Sequence, residues 1–314
     1  MVRMTKIFLV VLILAISGNA LSGTPQIKIG SKNSADHVVL GKALYLYLKI
    51  HSLPVIDRTN YGGSMDLRRA ILVGDVDLYY ESLSTAWFNY FHKKSLETSS
   101  EYLFHECKKL DRRNNLYWYH FTPANRTFAL VVGKFKSSEA RIKSISDWIM
   151  FIAKTGRKVP VAIPRELAQS KELIRGLVKH YKEELKINKE VGYKIALVSH
   201  SVIPRLVSDG TYFTGLSFAT LGEIDYFELV CLKDDRSYFP AYNLCPVVRK
   251  EVAERFARLP FLLDSFSAKV TTDALRRFDF LVSKKREKPA DVAEEWLIDR
   301  KLATPEEVLE YSIK

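Results

Sequence analysis

Cysteine is scarce in this 314-residue chain, with only Cys107, Cys231 and Cys245 present. Three thiols do not make a disulfide framework, and their spacing fits no zinc pattern. The seven histidines, His37, His51, His92, His105, His120, His180 and His200, are isolated from one another. Without a partnered motif each reads as a surface or satisfied structural histidine. No GxGxxG follows a strand, and "NYGGS" is no P-loop, so the known phosphate cradles are missing. GxSxG and HExxH are absent too. Nothing assembles nucleophile, base and oxyanion donors, so the sequence asks for no enzyme, no cofactor and no metal. Internal repeats and low-complexity tracts are also lacking.

Long apolar runs are missing as well, with one short exception. Arg3 and Lys6 precede "IFLVVLILAI", and "SGNALSG" follows. A basic start, a brief apolar run and small residues make a secretory signal peptide, residues 1–22, cleaved after Ala20 or Ser22. The run falls short of the about 20 apolar residues a spanning helix needs. No cysteine stands near the cleavage zone for a lipid anchor. The mature chain is expected to be exported and periplasmic, with about 290 residues, enough for two ordinary α/β domains.

The formal charge of +12 falls to about +10 once Arg3 and Lys6 are removed with the leader. Lys and Arg are interspersed with acids, and the dense clusters "KKLDRR" and "SKKREK" read as solvated faces. Together with export, this argues against nucleic acid. In an oxidising compartment three cysteines imply one pair and one orphan. Cys231 and Cys245 flank a turn-rich segment and are the expected disulfide, leaving Cys107 as a buried free thiol.

Strand and helix signals alternate along the chain. "IKIG" reads as a strand and "SADHVVLGKALYLYLKIH" as a helix with Ser34 as N-cap. "LPVIDRT" is a second strand. "GGSMDLRRAILVGD" is a helix with Leu67, Ala70 and Ile71 inward and Gly74 closing it, and "VDLYY" is a third strand. The pattern restarts with "TFALVVGK", "SISDWIMFIAKTG", "KVPVAIP" and "SKELIRGLVKHYKEEL", then "GYKIALVS", "GTYFTGLS" and "DYFELVCL". From Arg249 the character is helical. This is α/β, built of right-handed βαβ units in parallel sheets, with two lobes and a helical C-terminal segment.

Aromatic residues gather at strand ends: Tyr79 and Tyr80, Phe128, Tyr212 and Phe213, Phe218, and Tyr242. Ligands of α/β sheets sit at the carboxyl ends of strands. Rings there suit a methylammonium group, although most such aromatics are core. In "GDVDLYYESLSTAW" the acids Asp75 and Asp77 alternate on a strand edge ahead of Ser82, Ser84 and Thr85. Asp75, beside Gly74, reads as a turn residue.

Four segments in register, "IKIGSKNSADHVVLGKAL", "NYGGSMDLRRAILVGDVDLYYESLSTAW", "LKDDRSYFPAYNLCPVVR" and "LDSFSAKVTTDALRRFDFLV", resemble the glycine betaine/carnitine/choline-binding proteins of osmoprotectant ABC importers. The resemblance runs from about Ile27 to "PADVAEEWLIDRKL". It implies a type II periplasmic-binding fold with the ligand in a cleft between two lobes. The first lobe would be residues 24–125 plus 236–314, the second 126–235. It implies a monomer that captures a small quaternary amine and delivers it to a membrane permease.

Residue by residue, the resemblance assigns Lys32 and Asn33 to a ligand-facing loop, and Tyr79, Glu81 and Thr85 to the family's acid-strand motif. Ser82 stands where a cage tyrosine is expected. Phe128 and Phe218 fall at two further cage tyrosines, with Leu221 in place of an aspartate, and Tyr242 is retained. The arginine that clamps the ligand carboxylate in relatives aligns near Ser170, with Arg165 and Arg126 close in sequence. These departures imply a different or bulkier ligand than glycine betaine, or a sensor or scaffold that no longer transports.

Overall fold

The computed structural model describes residues 25–312 apart from Leu96, Arg157 and 166–169. The expected leader, residues 1–22, and its expected cleavage sites lie outside the described residues. Among the described residues, ten strands form two five-stranded sheets. The first holds β1 (Ile27–Lys32), β2 (Val55–Gly62), β3 (Leu78–Ser82), β4 (Leu116–Trp118) and β10 (Leu244–Arg249), in the order β2-β1-β3-β10-β4. The second holds β5 (Phe128–Gly133), β6 (Val159–Pro164), β7 (Tyr193–Val198), β8 (Thr214–Phe218) and β9 (Leu229–Cys231), in the order β7-β6-β8-β5-β9.

Each sheet has one reversed strand. β10 runs antiparallel to β3 and β4, and β5 runs antiparallel to β8 and β9. Both reversed strands come directly after the chain has passed from one sheet to the other, through 119–127 and then 232–243. The chain leaves each sheet at the carboxyl ends of its parallel strands. It enters the next sheet at the same kind of edge, so the entering strand must run the other way. The two carboxyl edges therefore border one gap, which is the architecture of a two-lobed type II binding-protein fold.

The connectors are paired with each other. Asn125 and Asn243 form an antiparallel bridge. The Tyr242 N–H donates to Asn125 Oδ1 (2.9 Å), and the Thr127 hydroxyl donates to the Pro240 carbonyl (2.7 Å).

Apolar periodicity explains the packing. The Ala35–Ile50 helix buries Val39, Leu40, Ala43, Leu44 and Tyr47 between the first sheet and the C-terminal helices Thr272–Ser283 and Pro289–Asp299. Gly74 does close the Ser64–Val73 helix, with φ of 84° in the left-handed region that glycine tolerates. Ser34 occupies the N-cap of the Ala35–Ile50 helix, but its hydroxyl donates to Asp36 Oδ1 (2.7 Å) instead of capping a backbone N–H. No helix among the described residues is long and apolar enough to cross a membrane.

Two expectations are corrected. "DYFELVCL" is not one strand: Glu223–Tyr226 is a helical turn, and only Leu229–Cys231 pairs in the sheet. That turn is drawn onto the Thr272–Ser283 helix, where Arg276 Nε donates to Asp225 Oδ1 (2.8 Å). The Cys231–Cys245 disulfide is also absent, since all three cysteines are free. Cys245 is fully buried on β10 in the same apolar cluster as Cys107, whereas Cys231 lies on β9 in the other sheet. Closeness in sequence across the second connector does not bring their side chains together, because the two residues join different cores.

Candidate functional site between the two sheets

The carboxyl edge of the first sheet is a fold-built ledge. Lys32 ends β1 and Ser82 ends β3, where Ser82 pairs with Leu244 at the start of β10. Lys32 does not hold its charge out to the gap. Its Nζ donates to Glu81 Oε1 (2.5 Å), and both side chains are buried. Glu81 Oε1 also accepts the Ser82 backbone N–H (2.8 Å). Glu81 Oε2 contacts the Tyr90 hydroxyl, which also lies 2.8 Å from the Ser64 carbonyl oxygen.

Tyr90 ends the π-helical turn Ala86–Tyr90, and its ring lies 4.8 Å from the Arg68 guanidinium. Burial pushes the Tyr90 phenol far above its usual range, helped by Tyr79 and Glu81. Arg68 in turn grips the buried Asp111 with two bonds of 2.8 and 2.6 Å, and Trp118 and Asn114 complete the carboxylate's partners. The Lys32–Glu81–Tyr90 group thus meets the Arg68–Asp111 pair through the contact of the Arg68 guanidinium with the Tyr90 ring. A groove of about 690 Å³ runs along β4, lined by residues including Phe104, Lys108, Tyr117 and Tyr119.

The second sheet contributes aromatic faces. Antiparallel register puts Phe128, first in β5, beside Phe218, last in β8. Their ring centroids are 5.1 Å apart at 27°, with the His200 ring edge-on 5.2 Å from Phe218. Both phenylalanines are half-buried and thus keep an accessible face. Tyr242 is half-buried on the returning connector. Asn33 is exposed beyond β1, Ser82 is buried, and Thr85 is half-buried in the turn after β3. Ser170 opens the Ser170–Glu184 helix, and its side chain is outside the described set.

In a third group the sequence had named Arg126 only as a neighbour of the clamp position, and had not marked Asp36. Asp36, in the first turn of the Ala35–Ile50 helix, pairs with Arg126 on the outgoing connector, Nε to Oδ2 at 2.8 Å. Burial would raise the Asp36 carboxyl, but Arg126, with His37 and the Ser34 hydroxyl, holds it below its ordinary range. Burial drives His37, next in the chain, well below the usual imidazole range, and Arg126 reinforces the effect.

Residues 25–299 match the family described as the substrate binding domain of ABC-type glycine betaine transport systems. The chain belongs to this family. Among relatives of this substrate-binding domain, the glycine-betaine-binding protein of Pseudomonas aeruginosa is 27% identical over 300 residues, covering 93% of this chain and 94% of that protein. The ergothioneine transport permease/ergothioneine binding protein EgtU of Helicobacter pylori is 26% identical over 291 residues, 89% of this chain. The chain spans about half of that protein, 48% of its length. Apo YehZ from Escherichia coli superposes with a TM-score of 0.79 at 20% identity, covering 89% of this chain and all of that one, a likeness of fold.

Within the substrate-binding domain, the gap brings Lys32, Ser82, Phe128, Phe218 and Tyr242 to facing strand ends and connectors. Asp36 and Arg126 carried only a weak signal in sequence, an acid in a helix's first turn and an arginine close to the position of the family's carboxylate clamp. Among the described residues, no cluster of His, Cys, Asp and Glu could hold a metal ion.

Proposed function

We propose that the chain is the solute-capturing component of an ABC importer, taking a betaine-like or quaternary-amine solute into the gap between its lobes. The lobes are residues 24–125 plus 236–314 and 126–235. The protein performs no chemistry on its ligand. It works outside the cytoplasm as a monomer and hands the solute to a membrane permease. The observation that carries this reading is the Phe128–Phe218 pair, two half-buried rings at strand ends that border the gap. A methylammonium group over such faces gains about 0.5–2 kcal/mol per ring. Asn33, Ser82, Thr85, Ser170 and Tyr242 complete the proposed lining, with Lys32 beneath it as part of the wall.

Among the described residues, two short connectors and contacts of the Thr272–Ser283 helix and Lys284 with the second lobe join the lobes. A ligand touching both lobes shifts the population toward a closed form that a permease can read. Titration calorimetry against glycine betaine, carnitine, choline and ergothioneine tests binding, and X-ray scattering tests closure. The expected result is tight binding of at least one of them with a fall in radius of gyration. Failure of all four to bind would overturn the reading.

Ser82 favours a bulkier ligand than glycine betaine. A buried serine fills less of the ledge than the ring the family motif places there. The Helicobacter pylori relative, named for ergothioneine, supports the same direction. Binding of glycine betaine more tightly than ergothioneine would sink this second reading.

A further inference from the structure

The cleft needs a partner for the anionic end of a zwitterionic solute, and the expected ones are missing or engaged. Ser170 has no charge. Lys32 is neutralised by Glu81. Arg165 is exposed beyond β6 and donates through Nη2 to the Leu197 carbonyl (3.2 Å).

Arg126 is different. Its backbone N–H is held by the Tyr242 carbonyl (3.3 Å), so the residue is fixed on the paired connectors. Its side chain is 27% exposed, and its closest charged contact is the ion pair of Nε with Asp36 Oδ2 at 2.8 Å. The two terminal nitrogens of its fork have no partner among the described residues. A guanidinium held at one edge and open at the other is preorganised for two parallel bonds to a carboxylate. Arg126 comes two residues before Phe128, whose ring stands at the start of β5.

A second observation points to a ligand at the same place. His37 is 1% exposed, and its Nε2 has no hydrogen-bond partner among the described residues. One helical turn later, Gly41 lies so close to Ser31 and Thr59 that a Cβ there would sit 2.7–2.8 Å from their side chains. His37 therefore stands one turn nearer the strand ends, among Lys32, Asp36 and Arg126, the charges that act on it. A buried imidazole nitrogen left unpaired is costly, and a ligand polar group would satisfy it.

We propose that Arg126 is the carboxylate-reading residue of this cleft, oriented by Asp36 and flanked by His37, in place of a guanidinium at Ser170. The proposal rests on the solute-binding reading above. It deepens that reading by naming the ligand's chemistry: a methylated amine with a carboxylate, and a further hydrogen-bonding group for His37. The ligand's cationic head lies against Phe128 and Phe218 while its carboxylate bridges the Arg126 fork.

The test is calorimetry of wild type, Arg126→Gln, Arg126→Lys and Asp36→Asn against glycine betaine, carnitine, ergothioneine and choline, the last lacking a carboxylate. Arg126→Gln should weaken the carboxylate-bearing ligands about tenfold or more while changing choline less than about twofold. Arg126→Lys should recover part of the loss. Asp36→Asn, which frees the guanidinium, should leave carboxylate binding intact or tighter. Circular dichroism checks that each variant is folded, and Asp36→Asn gives an independent reading if Arg126→Gln is not. Equal effects on all ligands, no effect on any, or wild-type choline binding as tight as that of the betaines would overturn the proposal. A wild type that binds none of the four overturns the solute-binding reading, and this inference with it.

Discussion

Lys32 Nζ and Glu81 Oε1 lie 2.5 Å apart beneath the carboxyl edge of the first sheet, so the lysine that the family motif offers to a ligand is held by its own chain. Removing one member of a buried pair leaves the other charge uncompensated. Glu81→Ala should therefore cost about 3–5 kcal/mol of stability in urea unfolding. The double change Lys32→Met with Glu81→Leu should recover most of it, since apolar replacements of a whole buried pair are often neutral.

The Phe128–Phe218 pair should act on binding more than on folding, because both rings are only half-buried. Phe128→Ala and Phe218→Ala should each weaken a methylammonium ligand about 3- to 30-fold by calorimetry, the equivalent of about 0.5–2 kcal/mol. Tyrosine at either position keeps the ring face and should bind within a few-fold of the native chain.

His37 predicts an acid sensitivity with a definite sign. Its folded pKa is depressed below 6.5 by burial and by Arg126, so the unfolded chain takes up the proton first. Stability is fully present above pH 6.5 and falls as the pH drops, by about 1.4 kcal/mol per unit, until the folded pKa is reached. Urea midpoints between pH 7 and 5 should show this slope, and His37→Gln should flatten it. Asp36, whose pKa is lowered below 3.8, stabilises at higher pH and loses its effect only in a more acid window.

The thiols should be unreactive in the folded protein. Burial holds Cys107 and Cys245 upward, and it pushes Cys231 up to about 11 despite Arg276 nearby. Alkylation at pH 8 followed by mass spectrometry should find little labelling in the native state and three modified cysteines after unfolding without reductant. A Cys231–Cys245 bridge would instead leave one.

Gly222 packs tightly against the backbone of the Thr272–Ser283 helix. A Cβ there would meet the Phe280 backbone nitrogen at 2.5 Å and its Cα at 2.7 Å, and backbone atoms cannot turn aside. Gly222→Ala should displace the loop and lose the bond from the Gly222 N–H to Asp279 Oδ2 (2.7 Å). A cost of about 1–3 kcal/mol is expected, read as a fall of about 2–4 °C in Tm per kcal/mol.

Much of the architecture was legible in the chain. Apolar spacing marked Ala35–Ile50, and Gly74 marked its helix end, because both depend on neighbours within a turn or two. The placement of the candidate site residues was partly legible. Phe128 and Phe218 stood out as aromatics at strand ends, but only antiparallel register stacks them. "DYFELVCL" misled because its β-rich composition was outweighed by a docking contact with Arg276, far along the chain. The cysteines misled because a short sequence separation spans the crossing between two cores.

By itself, then, the sequence determined the order of strands and helices, the family, and the position of rings at strand ends. These follow from local periodicity, turn chemistry and motif order. Only the tertiary structure decided which charges face one another. Lys32 with Glu81 and Arg126 with Asp36 join residues remote in the chain, and their pairing is set by sheet register and by the path of the connectors. A lysine that looked available is neutralised, an arginine named only as a neighbour of the clamp position keeps an open fork, and a histidine read as structural holds a buried nitrogen unpaired.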